Sequence, residues 1–129
     1  PRVCVDLLIK ENGGILLAKR LIAPYKNKWH FCGGRIKFRE SVFEAIKRIA
    51  QEEIGSQVTV EKLIGSMEFL NEQQNGNLRH SISLVFKVKR VNNKLSGSWQ
   101  AKDFRFFKQV EKNIHPIHLS FLKKYGYLK

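Results

Sequence analysis

Gly34-Arg35-Ile36-Lys37-Phe38-Arg39-Glu40-Ser41-Val42-Phe43-Glu44-Ala45-Ile46-Lys47-Arg48-Ile49-Ala50-Gln51-Glu52-Glu53-Ile54-Gly55 is the stretch on which the reading of this chain turns. Residues 41 to 54 have helical period. With Val42 at zero and ~100° per residue, Phe43, Ile46, Ala50 and Ile54 fall in one stripe. Glu44, Arg48 and Glu52 fall on the opposite face, at spacings that suit an exposed salt-bridge row. Glu44 also stands where it can complete a capping box with Ser41, and Gly55 ends the helix. Glu53 lies at ~20°, inside the apolar stripe between Val42 and Ile46. A carboxylate there is costly to desolvate. A hard cation with its preference for oxygen ligands removes that cost. A basic partner elsewhere in the chain would do so too.

Outward from the helix, the pattern changes period. Val3, Val5, Leu7 and Ile9 alternate with Cys4, Asp6, Leu8 and Lys10, a strand signature. Asn12-Gly13-Gly14 marks a turn, and Ile15 to Ala18 a second apolar strand. Residues 24 to 28 read as a loop, and Trp29 to Phe31 as a short strand entering Gly33-Gly34. Beyond the helix, Val58 to Leu70 reads as a strand pair or one long bent strand, followed by a polar turn over Glu72 to Asn77. Arg79 to Arg90 is the clearest strand, with His80, Ile82, Leu84, Phe86 and Val88 on one face. A histidine in that company is expected to be hydrogen-bonded core. Phe104 to Phe107 is a short strand, and Pro116 starts a terminal helix. The order strands, helix, strands, helix predicts an α/β/α sandwich with a mixed sheet.

The chain has 129 residues, one domain by size. That is long enough to bury about two-thirds of its unfolded surface. The net charge of +13 favours anionic ligands: phosphorylated small molecules, nucleic acid or acidic membrane. The lysines are dispersed over every segment, so most of them read as a solvated basic surface. No apolar run approaches the ~20 residues that span a bilayer. Cys4 and Cys32 show no metal or redox spacing and read as free thiols of a cytoplasmic protein.

The spacing of Gly34, Glu40, Arg48, Glu52, Glu53 and Gly55 resembles the Nudix box, the signature of metal-dependent hydrolases of nucleoside diphosphates linked to another group. The resemblance implies a Nudix-type α/β/α sandwich over residues 1–129. In the family the carbonyl of the first loop glycine, here Gly33, is a metal ligand, and the box Arg commonly orients the metal-site carboxylates. Arg48 would hold those carboxylates or meet substrate phosphate. The box position usually filled by Glu one turn before Glu53 holds Ile49.

A branch of the family lacks that Glu as its normal state: the GDP-mannose mannosyl hydrolases, which attack the sugar anomeric carbon rather than phosphorus. The chain is similar to that branch from residue 3 to about 107. Val3-Cys4-Val5-Asp6 resembles its first strand with an active-site Asp. Ile15-Leu16-Leu17-Ala18-Lys19-Arg20 resembles the segment whose Arg lies on the leaving diphosphate. Trp29-His30-Phe31-Cys32-Gly33-Gly34-Arg35-Ile36 resembles its Trp-Phe-x-Pro-Gly-Gly-Arg-Val, with Cys32 in place of Pro. Gln100-Ala101-Lys102-Asp103-Phe104-Arg105-Phe106 resembles a stretch in which the Gln is a metal ligand and the next residue a His general base. That base position is Ala101, for which His80 could substitute if it is not core, and the loop from 71 to 77 is shorter than the branch's.

The resemblance implies a hydrolase dependent on Mg²⁺, or Mn²⁺ in its place, held by Gly33, Glu53, Glu52 and Gln100. Arg20, Arg35 and Arg48 would serve the diphosphate, with Asp6 in the catalytic set. The expected partner is a small-molecule nucleotide sugar, with no membrane and no nucleic acid; a homodimer is compatible with the sequence. Two other readings stay open. One is a pyrophosphatase that attacks phosphorus of ADP-ribose or nucleoside triphosphates, with Glu68 or Glu72 as base. The other is a non-catalytic nucleotide- or RNA-binding module.

Overall fold

The structure, a computed structural model, describes residues 1–23, 25–97 and 103–129. Two four-stranded sheets form its centre. The elements run β1 (Arg2–Leu8), β2 (Lys10–Glu11), β3 (Gly14–Lys19), β4 (Trp29–His30), β5 (Cys32–Arg35), α1 (Val42–Ile54), β6 (Val58–Gln74), β7 (Asn77–Arg90), β8 (Asp103–Phe107) and α2 (Pro116–Lys124). The first sheet has the order β5-β1-β7-β6. β1 runs parallel to β7 and antiparallel to β5, and β6 is antiparallel to β7, so the sheet is mixed as expected. In the second sheet β3 pairs with β2, β4 and β8.

The central strands β1 and β3 are buried on both faces, and the alternation along the strands sorts residues into two cores. Val5, Leu7 and Ile9 of the β1 region, Leu16 and Ala18 of β3, and Phe86 and Val88 of β7 meet the apolar stripe of α1, namely Ala45, Ile46, Ile49, Ala50 and Ile54. Leu8, Ile15, Leu17 and Val85 face the other way, with Met67, Phe107, and Phe121 and Leu122 of α2. Helices thus cover opposite faces of the strands, the layer arrangement that buries a two-sided sheet.

α1 begins and ends where the sequence predicts. Ser41 accepts from the Glu44 amide at 3.1 Å, and Glu44 accepts from the Ser41 amide at 3.0 Å, which closes the capping box. Gly55 takes the left-handed conformation (φ 66°) that stops the helix.

Two expectations need correction. The turn after β6 is not the six-residue stretch from Glu72: the strand continues to Gln74, and only Asn75 and Gly76 (φ 53° and 76°) lie between it and β7. Asn-Gly at those angles is the two-residue hairpin turn whose twist matches the flanking strands. Glu72 therefore stands on a strand, just past a register shift between Phe69 and Glu72. His80 is exposed rather than core. It shares its side of β7 with Leu84 and Phe86, but at that end of the strand it is the opposite face, Ser81 and Ser83, that is buried.

Candidate active site

On the α2 side of β1 and β7, the side chains change from apolar to polar toward the start of each strand. Leu8 and Val85 belong to the α2 core, whereas Asp6, Cys4 and Arg2, and Ser83 and Ser81, follow on the same faces. Parallel pairing sets these polar ends side by side, with Arg2 opposite Ser81 and Cys4 opposite Ser83. The result is an open cavity of about 270 Å³. Its lining includes Arg2, Asp6, Arg20, Arg35, Glu53 and Glu72, and on another side Tyr25, Phe69, His30, His115 and His118.

Asp6 is buried at the cavity wall and accepts a hydrogen bond from the Ser83 hydroxyl. Burial pushes its carboxyl up to about 7; the Ser83 bond works against that rise and the Glu72 charge adds to it. Gly33 lies opposite Asp6 in the β1–β5 pairing. A methyl group at Gly33 would collide with the Asp6 carboxylate and, at 2.5 Å, with the Val5 carbonyl oxygen. The glycine is required there because the aspartate occupies the space a side chain would need. Gly34 is different, since an added methyl group would meet only the Ile49 side chain, with Cγ1 and Cδ1 each at 3.3 Å.

Ile49 is fully buried in the core beneath Gly34. The absent box carboxylate is thus replaced by packing. Glu53, in the last turn of α1, is half-buried and reaches the cavity. Arg20 is half-buried and holds its own loop, donating from Nε to the Ile22 carbonyl at 3.0 Å. Its charge acts on Glu72, whose carboxyl burial raises. Arg35 is exposed at the cavity mouth.

Arg48 and Glu52 are placed elsewhere. Arg48 donates to both Glu40 oxygens, to Glu52 at 3.2 Å and to the Arg35 carbonyl at 2.8 Å, and it does not line the cavity. It clips the 35–40 loop to the helix. Glu52 is exposed on the same outer row, as the i, i+4 spacing implies. Gln100 and Ala101 lie outside the described residues. Glu68 is exposed and away from the cavity, whereas Glu72 forms part of its wall. Both cysteines are free, and burial pushes the Cys4 thiol up to about 11, so it stays protonated.

The three histidines were not singled out in the sequence, although His115 and His118, three apart across the start of α2, share a helix face. The ring of His118 lies 4.9 Å from that of His115 and 5.9 Å from that of His30, centroid to centroid. Burial holds His30 and His115 down to about 4 and His118 well below the ordinary imidazole value, with Arg20 adding to each shift, so all three are neutral near pH 7.

Five buried side-chain polar atoms among the described residues have no hydrogen-bond partner. Four belong to residues that line this cavity: Arg2 Nε, Ser81 Oγ, His30 Nε2 and His115 Nε2. Buried polar groups are ordinarily satisfied, so their concentration here marks a ligand site.

The donor chemistry fits a hard divalent cation. Asp6, Glu53 and Glu72 offer carboxylate oxygens, and Mg²⁺ is commonly bound by one or two carboxylates with substrate phosphates and water. Among the described residues no three His, Cys, Asp or Glu side chains form a closed metal cluster, which is compatible with so open a site.

A family model of the NUDIX domain matches residues 1–124, and the chain belongs to the Nudix hydrolase family. It is 29% identical over 119 residues to the low-salt glycan biosynthesis protein Agl8 of Haloferax volcanii, covering 90% of this chain and 76% of that one. It is 34% identical over 107 residues to an ADP-ribose pyrophosphatase of Methanocaldococcus jannaschii, covering 83% of this chain and 62% of that relative's length. The fold resembles the crystal structure of a MutT protein from Methanosarcina mazei, with a TM-score of 0.82 at 20% identity, over 97% of this chain and 92% of that one. It also resembles a UDP-X diphosphatase, with a TM-score of 0.74 at 22% identity, over 98% of this chain and 63% of that one. No helix of the described residues is long and apolar enough to cross a membrane.

Proposed function

We propose that this Nudix hydrolase cleaves a nucleoside diphosphate sugar, GDP-mannose-like, at the bond between sugar carbon and diphosphate oxygen, releasing the sugar and a nucleoside diphosphate. One observation carries the reading. The cavity gathers Arg2, Arg20 and Arg35 beside Glu53 and Asp6, while the helix position of a further carboxylate is closed by Ile49 packed under Gly34. That set suits holding a diphosphate as a leaving group.

The guanidinium groups of Arg20 and Arg35 would bind the diphosphate oxygens, for which their planar donors are suited. Glu53 and the Gly33 carbonyl would hold Mg²⁺, with Gln100 as a further donor from beyond the described residues. The bound cation would offset the charge that develops on the leaving diphosphate. Asp6, with its carboxyl near 7, would exchange a proton close to neutral pH. The transition state at the sugar carbon is oxocarbenium-like, and a well-held diphosphate leaves from it readily. General-base catalysis is worth ~10² to 10⁴-fold. With Ala101 in the expected base position, turnover should be correspondingly slow.

A second reading is favoured by Glu72. Its half-buried carboxyl in the cavity wall, raised by burial, is a candidate base for attack of water on phosphorus. That would make the protein a pyrophosphatase for ADP-ribose or a related substrate.

Hydrolysis of GDP-mannose and ADP-ribose in ¹⁸O-water with Mg²⁺, with products identified by mass, separates the two. Label in the released sugar supports the proposal. Label in phosphate replaces it with the pyrophosphatase reading. Salt-sensitive RNA binding with no turnover of any nucleotide would leave only a binding module.

A further inference from the structure

The histidine end of the cavity is built around fixed tautomers. The Nδ1 of His30 lies 2.5 Å from the Phe31 carbonyl oxygen, which can only accept, so Nδ1 carries the proton. The Nε2 of the neutral ring is therefore an acceptor. The Nδ1 of His115 accepts from the Ile117 amide at 3.1 Å, so that ring carries its proton on Nε2 and offers a donor. The Nδ1 of His118 is likewise occupied by the Phe31 amide at 3.0 Å. The backbone has thus committed one nitrogen of each ring. It leaves a buried acceptor on His30 and a buried donor on His115, both without partners in the protein.

The two orphaned atoms demand opposite things of a ligand. A hydroxyl has the chemistry for both on one oxygen, a donor for His30 and an acceptor for His115. A nucleobase amide edge also offers donor and acceptor, but on two separate atoms. Phosphate would offer acceptors only and leave His30 Nε2 unmet. The surroundings suit a small neutral ring: Tyr25 and Phe69 set their rings edge-on to His115, at centroid distances of 4.1 and 5.7 Å. Arg20 acts electrostatically on all three histidines, so this end adjoins the diphosphate end. The cavity, at about 270 Å³, falls below the ~300 to 1,000 Å³ that encloses drug-sized ligands. It has room for one end of a nucleotide sugar, not for the whole.

We propose that His30 and His115 form the glycosyl subsite of this enzyme, where a sugar hydroxyl donates to His30 Nε2 and accepts from His115 Nε2–H. The assignment rests on the nucleotide-sugar reading and says which end of that substrate is enclosed. His30 and His115 are then specificity-determining residues.

The test uses variants that keep each committed nitrogen and remove the orphaned one. In His30→Asn the amide can still donate to the Phe31 carbonyl. In His115→Asn the amide oxygen can still cap α2. Binding is measured by calorimetry with Ca²⁺ in place of Mg²⁺, using GDP-mannose, UDP-glucose, ADP-ribose and the corresponding sugar-free diphosphates, with melting curves to establish folding. The unaltered protein should prefer at least one sugar-bearing ligand over its diphosphate. Each variant should lose about tenfold of that affinity, as an unmet buried hydrogen bond implies. Affinity for the diphosphate should stay within about twofold.

An equal loss for ligand and sugar-free diphosphate, graded by base identity, would place the nucleobase here and overturn the glycosyl assignment while leaving the nucleotide-sugar reading intact. Unchanged binding in both variants would also overturn it. If the unaltered protein binds none of the panel, the nucleotide-sugar reading fails and takes the subsite with it. Should His30→Asn fail to fold, His115→Asn alone decides, and His30→Gln repeats the His30 arm.

Discussion

Arg48 donates from Nε and Nη2 to the two oxygens of Glu40, at 2.8 and 2.9 Å. The same guanidinium bonds the Arg35 carbonyl, so one side chain of α1 fixes the loop that leads from Gly33-Gly34 into the helix. The bidentate geometry is open to Arg and not to Lys. We expect Arg48→Lys and Arg48→Ala both to lower the melting temperature. Turnover should fall roughly 10- to 100-fold, as misplacement of a positioned group implies. Unchanged kinetics in Arg48→Ala would show that the loop holds its place without the clip.

The pair also has a pH signature. Glu40 is held down to about 2, mainly by the Arg48 hydrogen bonds, against an ordinary value of 4.5. A depressed carboxyl stabilises the fold above its unfolded value, and that contribution is lost as pH falls through the folded one. Acid unfolding of the natural protein should therefore show a contribution between about pH 4.5 and 2 that Glu40→Gln lacks. Identical acid titrations of stability in the two proteins would exclude it.

Asp6 works in the opposite sense. Its folded carboxyl near 7 lies above the ordinary 3.8, so the folded state holds a proton that the unfolded chain releases. Stability should fall as pH rises from about 4 to 7 and level off above. Asp6→Asn, measured without metal, should remove that slope and be more stable than the natural protein at pH 8, by on the order of a few kcal/mol. The same variant should lose activity. Parallel stability profiles would show that Asp6 titrates normally.

Glu53→Gln should lower turnover by at least ~100-fold with the fold retained, because a charged oxygen donor is lost where electrostatic stabilisation is a large contribution. Full activity in that variant would remove Glu53 from the metal site.

The two loop glycines should part company. Gly33→Ala drives a methyl group into the Asp6 carboxylate and the Val5 carbonyl, and overpacking of that kind costs about 1–3 kcal/mol. Gly34→Ala presses only on the Ile49 side chain, at 3.3 Å, with no backbone or charged atom in its way, and should cost less than Gly33→Ala. Equal melting temperatures for Gly33→Ala and Gly34→Ala would show that Asp6 moves aside without cost.

Local rules carried much of this protein. Period 3.6 over residues 41 to 54, the Ser41–Glu44 box and Gly55 defined α1, because caps and amphipathic stripes depend on neighbours a turn away. Period 2 in residues 3 to 10 already held both facts about β1: one set of side chains for the α1 core, and another carrying Cys4 and Asp6 toward a site. The box spacing named the family and put Glu53 in the cavity. What the sequence could not decide was which polar residues meet across elements. Arg48 looked available to phosphate until folding set Glu40 within its reach, eight residues back through a loop of unpredictable path. His80 sat in an apolar alternation, yet at its end of β7 the opposite face is the buried one. His30, His115 and His118 come from β4 and the start of α2, far apart in the chain, and only the packing of α2 over the sheet brings their rings together. Periodicity and capping are short-range physics and can be read along the chain. The partner of a charge, and the burial that decides whether an imidazole is neutral, are set by contacts distant in sequence, and only the tertiary structure supplies them.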